Sequence, residues 1–348
     1  MNICILINKD LNPNTYAFVY PILINFKNFE KLTIDIEFDI KEKNYDIILI
    51  DSKFFIKHFN DNNNQEIENK FKILKQKTKI LVYCDNEASI FINKNIFKFI
   101  DYYLKGRIPS DLNIYKKPLY GQRQFTEFYN KKYNVIDDNE NYSHILNDHE
   151  ISKIILGWNN GIADYSYTSF IRKNIYKFTD IFIKTNKINF INKNKLFTAR
   201  FKQNYNRNTI NYHRNLYEKI FSKRCEINRI SRFRYFNELK KSFFSVSPYG
   251  WGEICYRDFE SFLYKCILLK PDMSHINTWP NYYIKNKTYL SMPWDNLNDT
   301  LIEKIITNKE NYIDIASEGN KNYLKYFDCN RNYYFLKHFN KIINKIIE

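Results

Sequence analysis

The sequence predicts an α/β protein built from two parallel-sheet domains. Short, continuous apolar runs such as Tyr45–Ile50 and Lys79–Cys84 are typical of strands buried on both faces of a parallel sheet. These runs alternate with segments of helical spacing, and 348 residues suffice for two domains with separate cores. The polar run 186–195 separates two such series. We therefore predict a first domain over 1–190, a second domain over 191–330 and a final helix over 331–348.

The first series begins with a strand at Ile3–Ile7, followed by a helix that Asn14 could cap. Helical spacing recurs at Gln65–Gln76 and at Gln122–Lys132, between and after the two buried strands already named. Alternation of strands and helices at these lengths favours a doubly wound, Rossmann-like domain.

The second series repeats this order, with four strands and three helices before the last helix. Its strands are predicted at Leu196–Phe201, Phe243–Ser247, Ile267–Lys270 and Thr288–Met292, and its helices at Asn208–Phe221, Glu253–Tyr264 and Asp299–Thr307. Apolar residues keep helical period from Phe335 to Ile346, so the last helix is amphipathic and could return to the first domain. Two Rossmann-like domains facing across a deep cleft are the simplest architecture.

Composition limits the classes of function. No apolar run approaches the roughly 20 residues of a membrane span, and the start lacks a signal-peptide pattern, so we expect a soluble cytoplasmic protein. Six scattered cysteines without metal-ligand spacing indicate reduced core residues. The net charge of +16 could reflect an anionic partner or only the Lys- and Asn-rich composition. No nucleic-acid-binding motif is present, so a nucleic-acid partner is not predicted.

Glycine is scarce, with 7 in the chain, and its positions are therefore informative. Gly250 and Gly252 flank Trp251, while Gly157 and Gly161 bracket another tryptophan segment. In such a chain these pairs indicate places where the backbone needs positive φ or a close approach.

The segment 247–260, SPYGWGEICYRDFE, carries the predicted chemistry. A glycine-bearing turn between a strand and a helix is where open α/β sheets bind anionic ligands, because backbone N–H groups and the helix dipole converge there. Helical spacing would put Glu253, Arg257 and Glu260 on one face. An arginine suits a diphosphate and carboxylates suit sugar hydroxyls, although an exposed ion-pair row would show the same spacing.

This segment and its continuation to Thr278-Trp279-Pro280 resemble the donor-binding region of bacterial GT-B glycosyltransferases, family 1-like or exostosin-like. The resemblance implies a nucleotide-sugar donor held by the serine-proline and glycine-aromatic-glycine turn. Glu260 would bind the ribose and Arg257 would face the diphosphate; Tyr249 stands where the class has a glutamate, which leaves the roles of Glu253 and Glu260 interchangeable. The donor-binding residues implied in the turn are Ser247, Gly250, Trp251, Gly252, Glu253, Arg257 and Glu260.

The resemblance also implies an activity. We expect transfer of a sugar from a nucleotide-sugar to a glycan or lipid-linked acceptor, in cell-surface polysaccharide or lipopolysaccharide synthesis. Two alternatives stay open: a sugar-nucleotide epimerase-like enzyme on the same fold, and a basic protein that binds nucleic acid or membrane. The nucleotide base, the sugar and the stereochemical outcome are not predicted.

Further candidate residues follow from their places in the predicted sheets. Arg200 and Lys202 end the first strand of the second domain, where cations could neutralise a leaving diphosphate. Asp164 is our first candidate for the catalytic base and Asp51 the second. Asp137-Asp138 lies far from the turn, so we expect no metal and no cofactor.

A basic cluster in the first domain could hold the enzyme peripherally to an anionic membrane at its inner face. Its members are Lys116, Lys117, Arg123, Lys131 and Lys132.

Overall fold

The computed structural model describes residues 1–9, 12–55, 64–163, 193–327 and 331–348. The described residues form two parallel sheets, which confirms the predicted α/β class. The strands are β1 (Asn2–Leu6), β2 (Thr33–Glu37), β3 (Tyr45–Asp51), β4 (Thr78–Asp85), β5 (Tyr102–Lys105), β6 (Arg107–Pro109), β7 (Ile154–Leu156), β8 (Lys195–Thr198), β9 (Ser242–Val246), β10 (Ile267–Pro271), β11 (Ile276–Thr278) and β12 (Leu290–Met292). The first sheet has the order β2-β1-β3-β4-β5-β7 and the second the order β12-β10-β9-β8.

Helices connect most of these strands. They are α1 (Pro13–Leu23), α2 (Asn64–Lys77), α3 (Gln124–Tyr133), α4 (Asp148–Ser152), α5 (Asn208–Phe221), α6 (Arg232–Lys241), α7 (Tyr256–Leu263), α8 (Asp299–Thr307), α9 (Ile313–Phe327) and α10 (Arg331–Ile347). The bounds predicted for α5 and α8 are confirmed to the residue.

The last helix, α10, packs on the first domain. Its Phe335, Phe339 and Ile343 share one core with Ile5 of β1 and Val82 of β4. The apolar stripe read from the sequence is thus buried against the first sheet, 250 residues or more away along the chain, and the predicted return of this helix is confirmed.

The two sheets face each other with their carboxyl ends. Strand β6, which follows the first sheet's β5, pairs antiparallel with β11 of the second half, and Arg107 lies opposite Thr278. This short ribbon ties the domains together beside the cleft. Loops that follow β4, β5 and β7 therefore lie against loops that follow β8 and β9.

Several predicted boundaries are wrong. Helix α7 begins at Tyr256 and not at Glu253, because the Asp258 carboxylate caps it by accepting from the Cys255 backbone N–H at 3.0 Å. Asn12, not Asn14, caps α1. Helices α6 and α9 were not predicted, since charged and aromatic residues obscure their apolar stripes.

Close approach, one of the two reasons predicted for the clustered glycines, is confirmed. Among the described glycines, Gly121 alone has positive φ, at 64°. Gly252 instead meets a close approach: an added Cβ would lie 1.4 Å from the backbone oxygen of Ala88 in the first domain. The glycine is required by the contact between domains and not by its own dihedral angles.

The boundary predicted near residue 190 lies outside the described residues, as does Asp164. Both stay predictions. In the part of the chain that the structure describes, no helix combines the length and the apolar character needed to cross a membrane.

Candidate functional site

A cavity of about 960 Å³ lies between the two domains, at the carboxyl ends of both sheets. Its first-domain wall consists of Asn14, Ala88, Arg107 and Asn160. Its second-domain wall comes from the loops after β8 and β9, the segment 227–236 and the start of α7. The predicted donor-binding residues that line the cavity are Arg200, Lys202, Gly250, Trp251, Gly252, Arg257 and Glu260.

Two guanidinium groups of the second-domain wall are held by neutral oxygens. Arg257 donates from Nε and Nη2 to the backbone oxygen of Arg200, at 3.0 and 2.7 Å, and Nη1 lies 3.3 Å from Ser247 Oγ. Arg214 of α5 donates to the backbone oxygens of Tyr249 (2.7 Å) and Lys202 (2.5 Å). No carboxylate of the described chain pairs with either group within 4.0 Å. Both keep a full positive charge oriented beside the cavity, which favours an anionic ligand.

Arg214 also connects the two loops that bound this wall. Arg214 is 3% exposed, and burial lowers the pKa of its guanidinium. The positive charge of Arg257 lowers this pKa further. Arg214 Nη2 lies 2.9 Å from the position that a Cβ on Gly250 would take. The glycine therefore leaves room for a guanidinium at the turn where the sequence predicts a phosphate.

Arg200 is arranged differently. Its guanidinium binds Glu238 in a bidentate pair, at 3.1 and 2.8 Å, and also contacts Glu226 at 3.3 Å. Hydrogen bonding to Glu238 raises the pKa of Arg200, and its side chain is only 7% exposed. The backbone oxygen of Arg200 thus supports Arg257, while the guanidinium charge of Arg200 is neutralised by Glu238 and Glu226.

A buried network fixes the amino end of α7. Asp258, which is fully buried, forms a salt bridge of 2.9 Å with the equally buried Lys270 and accepts from Tyr283 Oη at 2.7 Å. Ser247 Oγ donates to the same carboxylate at 2.5 Å. Ser247, directly after β9, is fully buried and accepts a hydrogen bond from Arg257 Nη1. It therefore supports Arg257 and does not contact the cavity. The network holds Arg257 in place without adding a free charge to the cavity.

Glu260 lies one helical turn beyond Arg257 and faces the cavity. Tyr235 Oη donates to its carboxylate at 3.0 Å, and burial raises its pKa. Among the described lining residues Glu260 is the one carboxylate. Apolar side chains of Ile227, Ile230 and Phe236 also line the cavity. A wall that offers both a carboxylate and apolar side chains suits a ribose and its base.

Trp251 and Gly252 contribute to the contact between the two walls. The Trp251 ring lies 5.9 Å from the guanidinium carbon of Arg123 in the first domain and 5.8 Å from that of Arg207 in the second. Arg123 also donates to the Trp251 backbone oxygen. Lys202, in contrast, is exposed at the cavity rim with its ammonium 5.3 Å from the Tyr205 ring.

Glu253 does not share the face of Arg257 and Glu260, so the predicted row of three is wrong. It precedes α7, is fully buried and does not line the cavity. His275 Nε2 lies 3.6 Å from its carboxylate, and this neighbour, with Arg123, lowers its pKa against the effect of burial. Neither carboxylate oxygen has a hydrogen-bond partner among the described residues.

The first-domain wall is polar and buried. Arg107 is 1% exposed, and its Nη2 lies 3.4 Å from Asn160 Oδ1. Asn14 Oδ1 accepts from Asn160 at 3.1 Å and from Tyr256 Oη, at the start of α7, at 2.9 Å. The bond from Tyr256 to Asn14 crosses the cleft, and through Asn160 it connects Arg107 to the amino end of α7.

Asp51 lies beneath this wall. It is 1% exposed and accepts from Thr15 Oγ1 at 2.5 Å, and burial raises its pKa to about 7. It does not line the cavity. In the described ranges, no group of three or more His, Cys, Asp or Glu side chains is arranged to hold a metal ion.

Sequence reasoning missed Arg107 and Arg214. A signal for Arg214 exists, because it stands four residues after Ile210 and three before Tyr217, on the predicted apolar stripe of α5. A charge on a buried stripe needs a partner or a ligand. Arg107 follows Gly106, one of the few glycines, in a stretch whose periodicity is weak.

No family model matches the chain, and no curated protein matches its sequence. Solved structures that it resembles include an alpha-glucosyltransferase (AGT) in complex with UDP, at 12% identity over 100% of both chains and a TM-score of 0.46. Another is HepE of Anabaena in complex with UDP-glucose, at 10% identity over 99% and 100% of the chains and a TM-score of 0.45. TarM matches 89% of this chain and 56% of its own at 11% identity, with a TM-score of 0.46. Similarity at this level decides neither substrate nor reaction, and the functional assignment rests on the cavity itself.

Proposed function

We propose that this protein is a glycosyltransferase that binds a nucleotide-sugar in the cavity between its domains. The observation that carries the proposal is the pair Arg214 and Arg257. Both guanidiniums are oriented by backbone oxygens, lie on one wall of the cavity and lack a carboxylate partner in the described chain. Two such groups side by side suit a diphosphate, which offers acceptors to both.

The remaining wall fits the rest of a nucleotide. Glu260 would accept from the ribose hydroxyls, since it faces the cavity one turn along α7 from Arg257. The apolar lining residues Ile227 and Ile230 would hold the base. At about 960 Å³, the cavity falls at the upper end of the range for small-molecule sites.

The position between two domains supports a transfer reaction. The bond between the anomeric carbon and the terminal phosphate oxygen breaks with its electron pair going to the phosphate. The acceptor hydroxyl oxygen bonds to that carbon, and its proton passes to a base. Arg214 and Arg257 would stabilise the charge that develops on the leaving diphosphate. Because these cations supply the compensating charge, we propose that no metal is needed.

The base itself is not among the cavity-lining residues that the structure describes. Asp51 is buried below the first-domain wall, and Asp164 lies outside the described ranges. Asp164 remains our proposal, since it follows Asn160 of the first-domain wall by four positions in the sequence.

For the acceptor we propose a glycan or lipid-linked molecule of cell-surface polysaccharide synthesis, on the resemblance of residues 247–280 alone. Adhesion to an anionic inner membrane face has less support in the contacts. Lys116 pairs with Asp148, Lys131 with Glu127 and Lys132 with Asp295, while Arg123 is buried. Lys117 alone of the cluster is exposed without an acidic partner in the described chain. We therefore expect only weak, salt-sensitive adhesion.

A thermal-shift screen with UDP, GDP, CDP, ADP and CMP tests the proposal without knowledge of the acceptor. One nucleoside diphosphate should raise Tm in a concentration-dependent manner. Incubation of the matching nucleotide-sugars with acceptor glycans then separates transfer from rearrangement of the donor alone. Absence of any nucleotide effect, with folded protein, would overturn the proposal.

A further inference from the structure

Arg107 is a buried cation whose charge lacks a direct partner. It is 1% exposed, its Nε has no hydrogen-bond partner, and no carboxylate in the described ranges lies within 4.0 Å of its guanidinium. Among the described residues its side chain makes one hydrogen bond, to Asn160 Oδ1, and this bond is long at 3.4 Å. A guanidinium buried in this way is costly unless a ligand supplies the opposite charge.

The location of Arg107 limits what that ligand group could be. The residue begins β6, which pairs across the cleft with β11, and it lines the cavity from the first domain. It lies near Tyr256 at the amino end of α7, whose hydroxyl is bonded to Asn14 of the same wall. Arg107 therefore lies where the first-domain wall meets the second domain.

We expect the acceptor to bind to the first domain, opposite the wall that holds the donor, so this part of the cavity would hold the bond that breaks. We propose that Arg107 binds the terminal phosphate of the donor from the first-domain side. This inference rests on the proposed function and adds a residue that neither the turn at 247–260 nor its resemblance contains. Arg214 and Arg257 hold the diphosphate from one wall, and Arg107 completes the anion site from the other.

The arrangement has a consequence for the reaction. The electron pair of the breaking carbon–oxygen bond goes to the terminal phosphate, so positive charge beside that phosphate speeds its departure. Arg107 comes from the first domain and Arg214 and Arg257 come from the second, and the two walls are in contact where Gly252 meets Ala88. Stabilisation of the leaving group by all three arginines therefore needs both walls.

A rival explanation is that Arg107 only balances buried Glu253. Glu253 is the acidic group with the largest effect on the pKa of Arg107, and both carboxylate oxygens lack hydrogen bonds in the described chain. Under this explanation the effect of removing Arg107 should disappear once Glu253 is neutral. A double-mutant cycle with Arg107→Gln and Glu253→Gln separates the two.

The test measures Kd by calorimetry for the nucleoside diphosphate selected from UDP, GDP, CDP and ADP, and for its monophosphate. Arg107→Gln should raise the Kd of the nucleoside diphosphate about tenfold to a hundredfold and change the Kd of the monophosphate less than twofold. Both results are expected in the wild-type background and in the Glu253→Gln background. Arg107→Lys should recover part of the loss. Arg224→Gln is the matched control, because Arg224 pairs with Asp299 and Glu303 and does not line the cavity.

The outcomes are distinct. If the wild-type protein binds none of the four diphosphates, the proposed function fails. The role proposed for Arg107 is wrong if the wild-type protein binds a diphosphate and Arg107→Gln binds it equally well. It is also wrong if Arg107→Gln weakens the nucleoside diphosphate and the nucleoside monophosphate by the same factor. Loss confined to the background with Glu253 intact would assign Arg107 as the counter-ion of Glu253. Near-UV circular dichroism of each variant confirms that the compared proteins are folded.

Discussion

The two walls of the cavity hold their arginines with different numbers of partners. On the second-domain wall, Arg200 is clamped by Glu238 and Glu226, whereas Arg214 and Arg257 are held by backbone oxygens. On the first-domain wall, Arg107 is buried with almost no partner. The number of cations around a site therefore does not measure how much positive charge the site offers to a ligand. A guanidinium oriented by neutral groups keeps its charge available, and one paired with carboxylates does not.

The contact between the walls gives the largest expected effect. Gly252→Ala would place a Cβ 1.4 Å from the Ala88 backbone oxygen, so the domains must separate. We expect transfer activity to fall about a hundredfold, because small displacements of reacting groups cost that much. Gly157→Ala is the control, since its Cβ would meet only side-chain atoms of Leu104 within the first domain, the nearest at 2.9 Å. Equal activity of the two variants would show that the contact is dispensable.

The difference between Arg214 and Arg200 can be measured directly. Arg214→Gln should weaken nucleoside diphosphate binding roughly tenfold or more, because it removes a charge-assisted contact. Arg200→Gln should weaken binding less, yet lower the free energy of unfolding by about 1 to 3 kcal/mol, since Glu238 loses its bidentate partner. Calorimetric titration and urea unfolding of both variants provide the two numbers. The reverse ranking would contradict the distinction between available and neutralised charge.

A third prediction concerns Asp51 beneath the first-domain wall. Its pKa is raised to about 7 in the folded protein, against about 4 when unfolded, so the folded state holds the proton more tightly. This contribution to stability is complete below pH 4 and is lost as the pH rises to 7. In the wild-type protein the free energy of unfolding should fall by up to about 1.4 kcal/mol per pH unit between pH 5 and 7 because of Asp51, and Asp51→Asn should remove this decline. Urea unfolding at both pH values checks it; parallel profiles for the two proteins would contradict it.

The smallest expected effect is that of metal removal. If the cations of both walls neutralise the diphosphate, then EDTA should leave the Kd of the nucleoside diphosphate unchanged within twofold. Titrations with EDTA and with added magnesium or manganese test this. Binding that requires the metal would show that the arginines are insufficient.

The sequence predicts the two walls unequally well. The helical spacing of apolar residues predicted the bounds of α5 and α8 and the packing of α10 on the first domain, because those features depend on local spacing. The turn at 247–260 could be found from its glycines in a glycine-poor chain. The clamp on Arg200 could not, since Glu238 comes from a different helix, 38 positions later. Glu253 was misplaced because the cap that starts α7 at Tyr256 depends on Asp258, whose carboxylate is fixed by Lys270 and Tyr283.

The most direct test of the account is the affinity of the folded protein for its nucleoside diphosphate, compared between wild type and Arg257→Ala. Arg257 lies off the apolar core and is held by the Arg200 backbone oxygen and Ser247, so the variant should fold. Calorimetry should show affinity reduced at least about tenfold, in line with loss of a charge-assisted contact. Equal affinity of wild type and variant would contradict the assignment of this cavity as the nucleotide site.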